Sequence, residues 1–161
     1  MAIRNFVDSG KPMQGMCEDI ATGIKERTAR AVDYKGAGFV PLKPNYRAWK
    51  IKFGKRGIPD MNLMGDMMAS MAVGLESPRH GRIYFKSMSQ SKPRGGTAKI
   101  KTDLLANVHH FGRTSIKMPA RPFMNVSESE VKKLKKKHYD DAVTEIIRSK
   151  AGEAFGEPGT R

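Results

Sequence analysis

The residues able to do chemistry are few: four histidines, one cysteine and 16 carboxylates in a chain of 161 residues. His109 and His110 are adjacent, so they point to opposite faces on a strand and diverge by about 100° on a helix. Neither arrangement offers one metal two ligands as a His-x-x-x-His step does, and structural zinc wants four convergent ligands. His80 lies beside Gly81 at a turn, and His138 is next to a lysine run that disfavours a cation. Cys17 falls on an apolar helical stripe, the usual place of a buried, inert thiol. Pairing it with His109 as nucleophile and base would need an oriented base and an oxyanion hole, and no residues suggest either. There is no P-loop, dinucleotide fingerprint, HExxH or GxSxG motif. The carboxylates lie largely in the terminal segments, leaving few for paired acid/base work in the middle. A non-enzymatic protein with no catalytic residue, no metal site and no cofactor is expected.

The basic residues are the stronger signal. The chain has 30 Lys+Arg against 16 Asp+Glu, a net charge of +14. Residues 1–33 are balanced, five of each sign; residues 34–60 hold seven basic residues against one Asp, and residues 127–161 hold eight against seven. The surplus therefore lies between residues 34 and 126, in Gly- and Pro-rich stretches. The run Lys132, Lys133, Lys135, Lys136, Lys137 is interleaved with Glu128, Glu130, Asp140, Asp141 and Glu145, so it reads as a solvated helix face. Charge carried on loops, with no basic recognition helix, implies contacts to phosphates that ignore base sequence. Lys50, Lys52, Lys55, Arg56, Lys92 and Arg94 are the candidate basic contact residues. A single Cys excludes an intramolecular disulfide, consistent with a reducing compartment. No stretch approaches the roughly 20 apolar residues that span a bilayer, and residues 1–10 lack a signal-peptide core, so a soluble, unprocessed chain without membrane contact is expected.

These residues must be positioned by a small set of elements. Met13, Met16, Cys17, Ile20, Ala21, Ile24, Thr28 and Ala31 recur at helical spacing and predict a helix over 12–33. Residues 34–60 form a basic, Gly/Pro-rich loop, with a short helix from Asn45 to Phe53 that puts Tyr46, Trp49 and Phe53 on one face. Met61 to Ala72 predicts another short helix capped by Asp60. Gly81 to Ser87 reads as a strand, with Ala72 to Glu76 as its hairpin partner across Ser77-Pro78. Ser87 to Lys99 reads as a mobile loop or arm. Leu104 to Phe111 is too short for periodicity to separate strand from helix. Ser127 and Glu130 make a capping box, with Val126 placed to staple onto Val131, for a C-terminal helix over 127–150; Gly152 follows as a stop and residues 152–161 form a tail. The expected class is α+β in one domain, 1–161: a small antiparallel or mixed sheet flanked by the two terminal amphipathic helices, with long basic loops.

Two segments resemble a known family. The first is Phe39-Val40-Pro41-Leu42-Lys43-Pro44-Asn45-Tyr46, followed by Lys50, Lys52 and Asn62-Leu63-Met64-Gly65-Asp66-Met67-Met68-Ala69-Ser70. The second is His109-His110-Phe111-Gly112, then Met118-Pro119-Ala120-Arg121-Pro122-Phe123 leading into the C-terminal helix. In order and type they are similar to the virion morphogenesis, or tail completion, family of Mu-like and related tailed phages, with Pro41, Leu42, Leu63, Gly65, His110, Phe111 and Gly112 at motif positions. The resemblance spans roughly residues 39–147. It implies a structural virion protein of the neck or tail end, made in the host bacterial cytoplasm, that completes the tail and joins it to the head. It also implies a ring homo-oligomer, expected to be hexameric, with other neck, connector, tail-tube or sheath proteins as partners and non-specific contact with genomic DNA. Pro119 and Pro122 hold Met118 and Arg121 extended, which suits a subunit contact formed by Met118, Pro119, Arg121, Pro122 and Phe123, or else a stiff connector with a core Phe. The basic loops would line the lumen or grip an acidic neighbour. From a different class, a sequence-independent nucleic-acid-binding protein of ribosomal or nucleoid type fits the charge alone.

Overall fold

The computed structural model describes residues 2–62, 66–91 and 99–154, an α+β arrangement of helices around short antiparallel ladders. The chain opens with α1 (Ala2–Asp8), a helix that the sequence pattern does not announce, and turns at Gly10 into α2 (Lys11–Ala29). Gly10 adopts φ 72°, left-handed backbone that favours glycine. Pro12 sits in the first turn of α2, and Cys17, Ile20, Ala21, Ile24 and Thr28 are buried along one stripe. The helix ends four residues short of the expected Asp33. Ala31 turns to φ 59°, and the Asp33 carboxylate accepts the Lys35 and Ala37 backbone N–H groups in a tight loop that bridges Val32 to Gly38.

The short helix α3 (Pro44–Lys52) forms as expected and stops at Gly54, φ 69°. The expected helix from Met61 to Ala72 is corrected. Met61 itself takes φ 54°, the described helix α4 covers only Asp66–Ala69, and the chain is already extended at Met71. Its expected cap, Asp60, is used elsewhere: the side chain is buried against Lys50.

Strands β1 (Met71–Ser77) and β2 (His80–Phe85) make the expected antiparallel hairpin, pairing Met71 with Phe85 and Val73 with Ile83. A second ladder, β3 (Ser89–Ser91) with β4 (Lys99–Lys101), replaces part of the expected arm over 87–99; residues 92–98 lie outside the described residues. The undecided segment is helical, α5 (Thr102–Phe111). Its first turn is pinned by fully buried Thr102, whose hydroxyl donates to Lys86 O and accepts the Met88 N–H at 3.1 Å.

The C-terminal segment runs as α6 (Glu128–Lys135), a π-helical turn (Lys136–Asp140) and α7 (Asp141–Ala154), so helix continues past 150 and through the expected stop at Gly152. Ser127 caps it as expected, accepting the Glu130 N–H at 3.2 Å, while the Glu130 side chain leaves the box to pair with Arg27. The expected α+β class holds, with a small antiparallel sheet among the helices. Helix α2 lies in the middle, touching β1 and β2 on one side and α6 with the π turn on the other. The close approach of hairpin to α2 requires Gly81, since a Cβ there would overlap Cys17 Sγ. The core is Ile20, Ala21, Ile24, Phe39, Met67, Met71, Ala106 and Phe123, so α2, the hairpin, α5 and the 118–123 segment share it.

Candidate functional site

The two segments that carry the family resemblance meet in the interior. Phe39 and Phe123 belong to the same core, and Phe123, at 0% exposure, packs edge-on against Phe85 and His110 at 6.0 and 5.7 Å. Arg121 is 5% exposed; its Nε donates to Val40 O at 3.1 Å, and its backbone N–H donates to His109 O at 2.9 Å. Arg121 lies in a stretch with no helix or strand, between Pro119 and Pro122, and its side chain is aimed inward. Gly112 makes the return possible with φ 75°, and a Cβ there would fall 2.7 Å from Ala120 N. Met118 closes the loop by pairing with Arg113 across a 3-10 turn, Thr114–Ile116.

The electrostatics of this knot are one-sided. His109 is largely buried; burial first, then the Arg121 and Lys50 charges, push its pKa down to about 4, and its Nδ1 has no hydrogen-bond partner among the described residues. Burial also lowers Arg121 from its usual value. His110 is lowered by burial too, and its Nδ1 accepts the Met124 N–H at 3.3 Å, which fixes a neutral ring protonated at Nε2. Lys50, 2% exposed, donates to Ile58 O at 2.8 Å and to Asp60 Oδ1. Asp60 also receives Arg56 at 3.5 Å and the Asn62 N–H at 3.1 Å. A groove of about 280 Å³ opens beside this pair, lined by Lys25, Ala29, Arg56, Asp60, Asn62 and Met68.

This placement corrects several expected contact residues. Lys50 cannot line a lumen or grip a neighbour, because its ammonium is sealed against Asp60 and a carbonyl. Arg121 and Phe123 cannot form a subunit surface; they are the stiff connector and core phenylalanine of the alternative. Met118, Pro119 and Pro122 are only partly covered. Lys52, Lys55 and Arg56 are exposed, Arg56 reaching back to Ala29 O as well as Asp60. Of the motif positions, Pro41 is exposed, Leu42 is half-buried, and His110 and Gly112 are half-buried at the knot. Phe111 is turned out, 74% exposed, the reverse of what a motif aromatic suggests. Leu63, Gly65, Lys92 and Arg94 lie outside the described residues.

Two connecting groups escape a reading by residue type. Arg27 is buried on α2, donating to both Glu130 oxygens at 3.1 and 3.2 Å and to Asn125 O, which ties α2 to the start of α6. Its spacing of three from Ile24 and seven from Ile20 places it on the apolar stripe, and that spacing is the signal that could have found it. Asp19 accepts from Lys137 at 2.6 Å and from His138 Nε2 at 2.8 Å; those two hydrogen bonds hold its carboxyl below the usual range. The sequence had separated these residues because they are more than a hundred positions apart.

Among the described residues no helix is long and apolar enough to cross a membrane, and no three His, Cys, Asp or Glu side chains converge to hold a metal ion. Comparison with family models, with curated proteins and with solved structures finds no match.

Proposed function

We propose that this chain is a structural subunit of a tailed-phage neck, a ring-forming tail completion or terminator protein that finishes the tail and joins it to the head. One observation carries the reading. The two sequence segments that resemble that family, about eighty residues apart, are packed on each other through Phe39, Val40, His109, Arg121 and Phe123. Residues that share a motif because they share a structural job are expected to meet in this way.

A closed ring built from one kind of subunit needs two different, complementary patches. With Arg121 and Phe123 inside, the outward stripe of α5 takes over as the first: Leu104, Val108 and Phe111 recur at four- and three-residue steps on the face opposite buried Ala106. Lys101, Arg113 and Lys117 stand exposed near its two ends. The second patch is α7, whose apolar residues Val143, Ile146 and Ile147 remain partly or largely uncovered, beside Asp140 and Asp141 and a Glu145 paired with Arg148.

Sedimentation and negative-stain imaging of the purified full chain test the reading. Rings that are lost in Leu104→Asp/Phe111→Asp, at unchanged helix content, are expected. A chain that stays monomeric at every concentration, in a phage whose tails and heads join without it, overturns it.

A further inference from the structure

We propose that the outer rim of α3 is a binding site for single-stranded nucleic acid. Lys43, Arg47, Lys52 and Lys55 are all exposed within 13 residues of chain, and among the described residues none of them takes part in a salt bridge. The one carboxylate between residues 34 and 60, Asp60, is buried and occupied by Lys50 and Arg56, so it cannot neutralise the rim. Burying Lys50 thus has a directional effect: the acid is drawn inside with it, and the remaining cations face solvent with no paired carboxylate among the described residues. An uncompensated basic rim attracts phosphates.

Charge alone fits any polyanion; the rings narrow the partner. Tyr46, Trp49 and Phe53 form a row along the edge of α3, with centroids 5.5 Å apart for the first pair, stacked, and 4.6 Å for the second, tilted by 51°. Phe53 ends the row at 54% exposure, between Lys52 and Lys55. An exposed ring supported from behind by a second ring, with cations on both sides, is the arrangement on which an unpaired base stacks while its flanking phosphates are held. A duplex keeps its bases stacked on each other and offers Phe53 only a groove wall. An acidic peptide offers carboxylates for the cations but nothing for the ring. The stacking therefore selects a single strand, with little preference among bases, since every base has a π-face. The proposal stands apart from the ring reading: a monomeric chain can bind a strand here, and a ring can form without it.

Trp49 is the only tryptophan of the chain and sits in the row beside Phe53, so its fluorescence reports the site directly. The full-length protein is titrated with an oligothymidylate of about 20 nucleotides, with a duplex of the same length, and with polyglutamate. Saturable quenching by the oligothymidylate is expected, with a log–log salt slope of about −3 if all four cations engage phosphates. Phe53→Ala is expected to weaken that binding roughly 5- to 100-fold at an unchanged slope, and Lys52→Gln/Lys55→Gln to make the slope shallower by about 1.4. Both variants change exposed side chains, and circular dichroism checks that they fold as the parent does. Absence of quenching, equal affinity for duplex or polyglutamate, or an unaltered affinity in Phe53→Ala overturns the proposal.

Discussion

Acid should destabilise this fold through His109 well before its carboxylates titrate. In the folded chain the ring is kept neutral by burial and by the Arg121 and Lys50 charges, with a pKa of about 4 against 6.5 when unfolded. Above pH 6.5 both states hold the ring neutral and nothing is lost. As pH falls from 6.5 towards 4, the unfolded chain takes up a proton that the folded chain refuses, so stability declines across that window and levels off below it. The full difference of 2.5 pKa units corresponds to about 3 kcal/mol, of which roughly 2 kcal/mol is already lost at pH 5. His109→Phe keeps a flat ring in the same space and removes the titration; because Nδ1 has no partner among the described residues, that nitrogen gives up no hydrogen bond to them. Urea unfolding at pH 7 and pH 5 should show the parent losing about 2 kcal/mol more than the variant over that step. His110 contributes in the same direction but does so in both proteins, and Asp19, held low by Lys137 and His138, is lost only as pH falls below about 4. Parallel pH profiles for parent and variant, or an NMR titration of His109 with a midpoint near 6.5, would refute the reasoning.

Asp60→Ala should cost about 3–5 kcal/mol in urea unfolding, because it strands a buried ammonium beside two other cationic or proton-refusing groups, whereas Lys50→Met with Asp60→Leu should recover most of that loss. Arg27→Ala should cost about 2 kcal/mol and raise hydrogen exchange in α6 selectively, since it frees the Glu130 and Asn125 acceptors; a loss spread evenly over the chain would contradict that localisation. Gly112→Ala should unfold the chain or sharply lower its thermal midpoint, as the new Cβ meets backbone rather than a flexible side chain; a midpoint within a degree or two of the parent would contradict the geometry.

Elements set by local chemistry were legible in the sequence, and groups set by distant partners were not. The stripe of α2, the hairpin across Ser77-Pro78, the aromatic face of α3 and the Ser127 cap each follow from residues within one or two turns of each other. Asp60 was read as a helix cap because a cap is what Asp before a helical run does locally; a lysine ten residues earlier wins it by burial. Glu130 was read into a capping box, yet buried Arg27 offers it two charge-assisted hydrogen bonds instead of one to a backbone N–H. The flanking prolines suggest an Arg121 that projects to a partner, but a carbonyl at Val40 accepts its Nε instead. For Glu130 and Arg121 the competing partner lies 103 and 81 residues away, and for Asp60 it lies ten residues back across the turn at Gly54; no helical periodicity announces any of them.

The same misplacements reorganise the net charge. Of the surplus between residues 34 and 126, Lys50 and Arg121 are buried and Arg56 is tied to Asp60 and a carbonyl, so these three side chains are not free to reach a partner. What emerges at the surface is local: the rim of α3, where the one carboxylate of residues 34–60 is buried, and the ends of the α5 stripe. The rim's residues are Lys43, Arg47, Lys52, Lys55 and Phe53; the stripe's are Leu104, Val108 and Phe111. No residue belongs to both, and the two helices are separated in sequence by the hairpin. Assembly and strand binding should therefore be genetically separable. Lys52→Glu/Lys55→Glu should abolish oligonucleotide quenching and leave oligomerisation as it was, while Leu104→Asp/Phe111→Asp should do the reverse. If either pair disturbs both properties at unchanged helix content, the two surfaces are one, and the charge on α3 serves the neighbouring subunit rather than a nucleic acid.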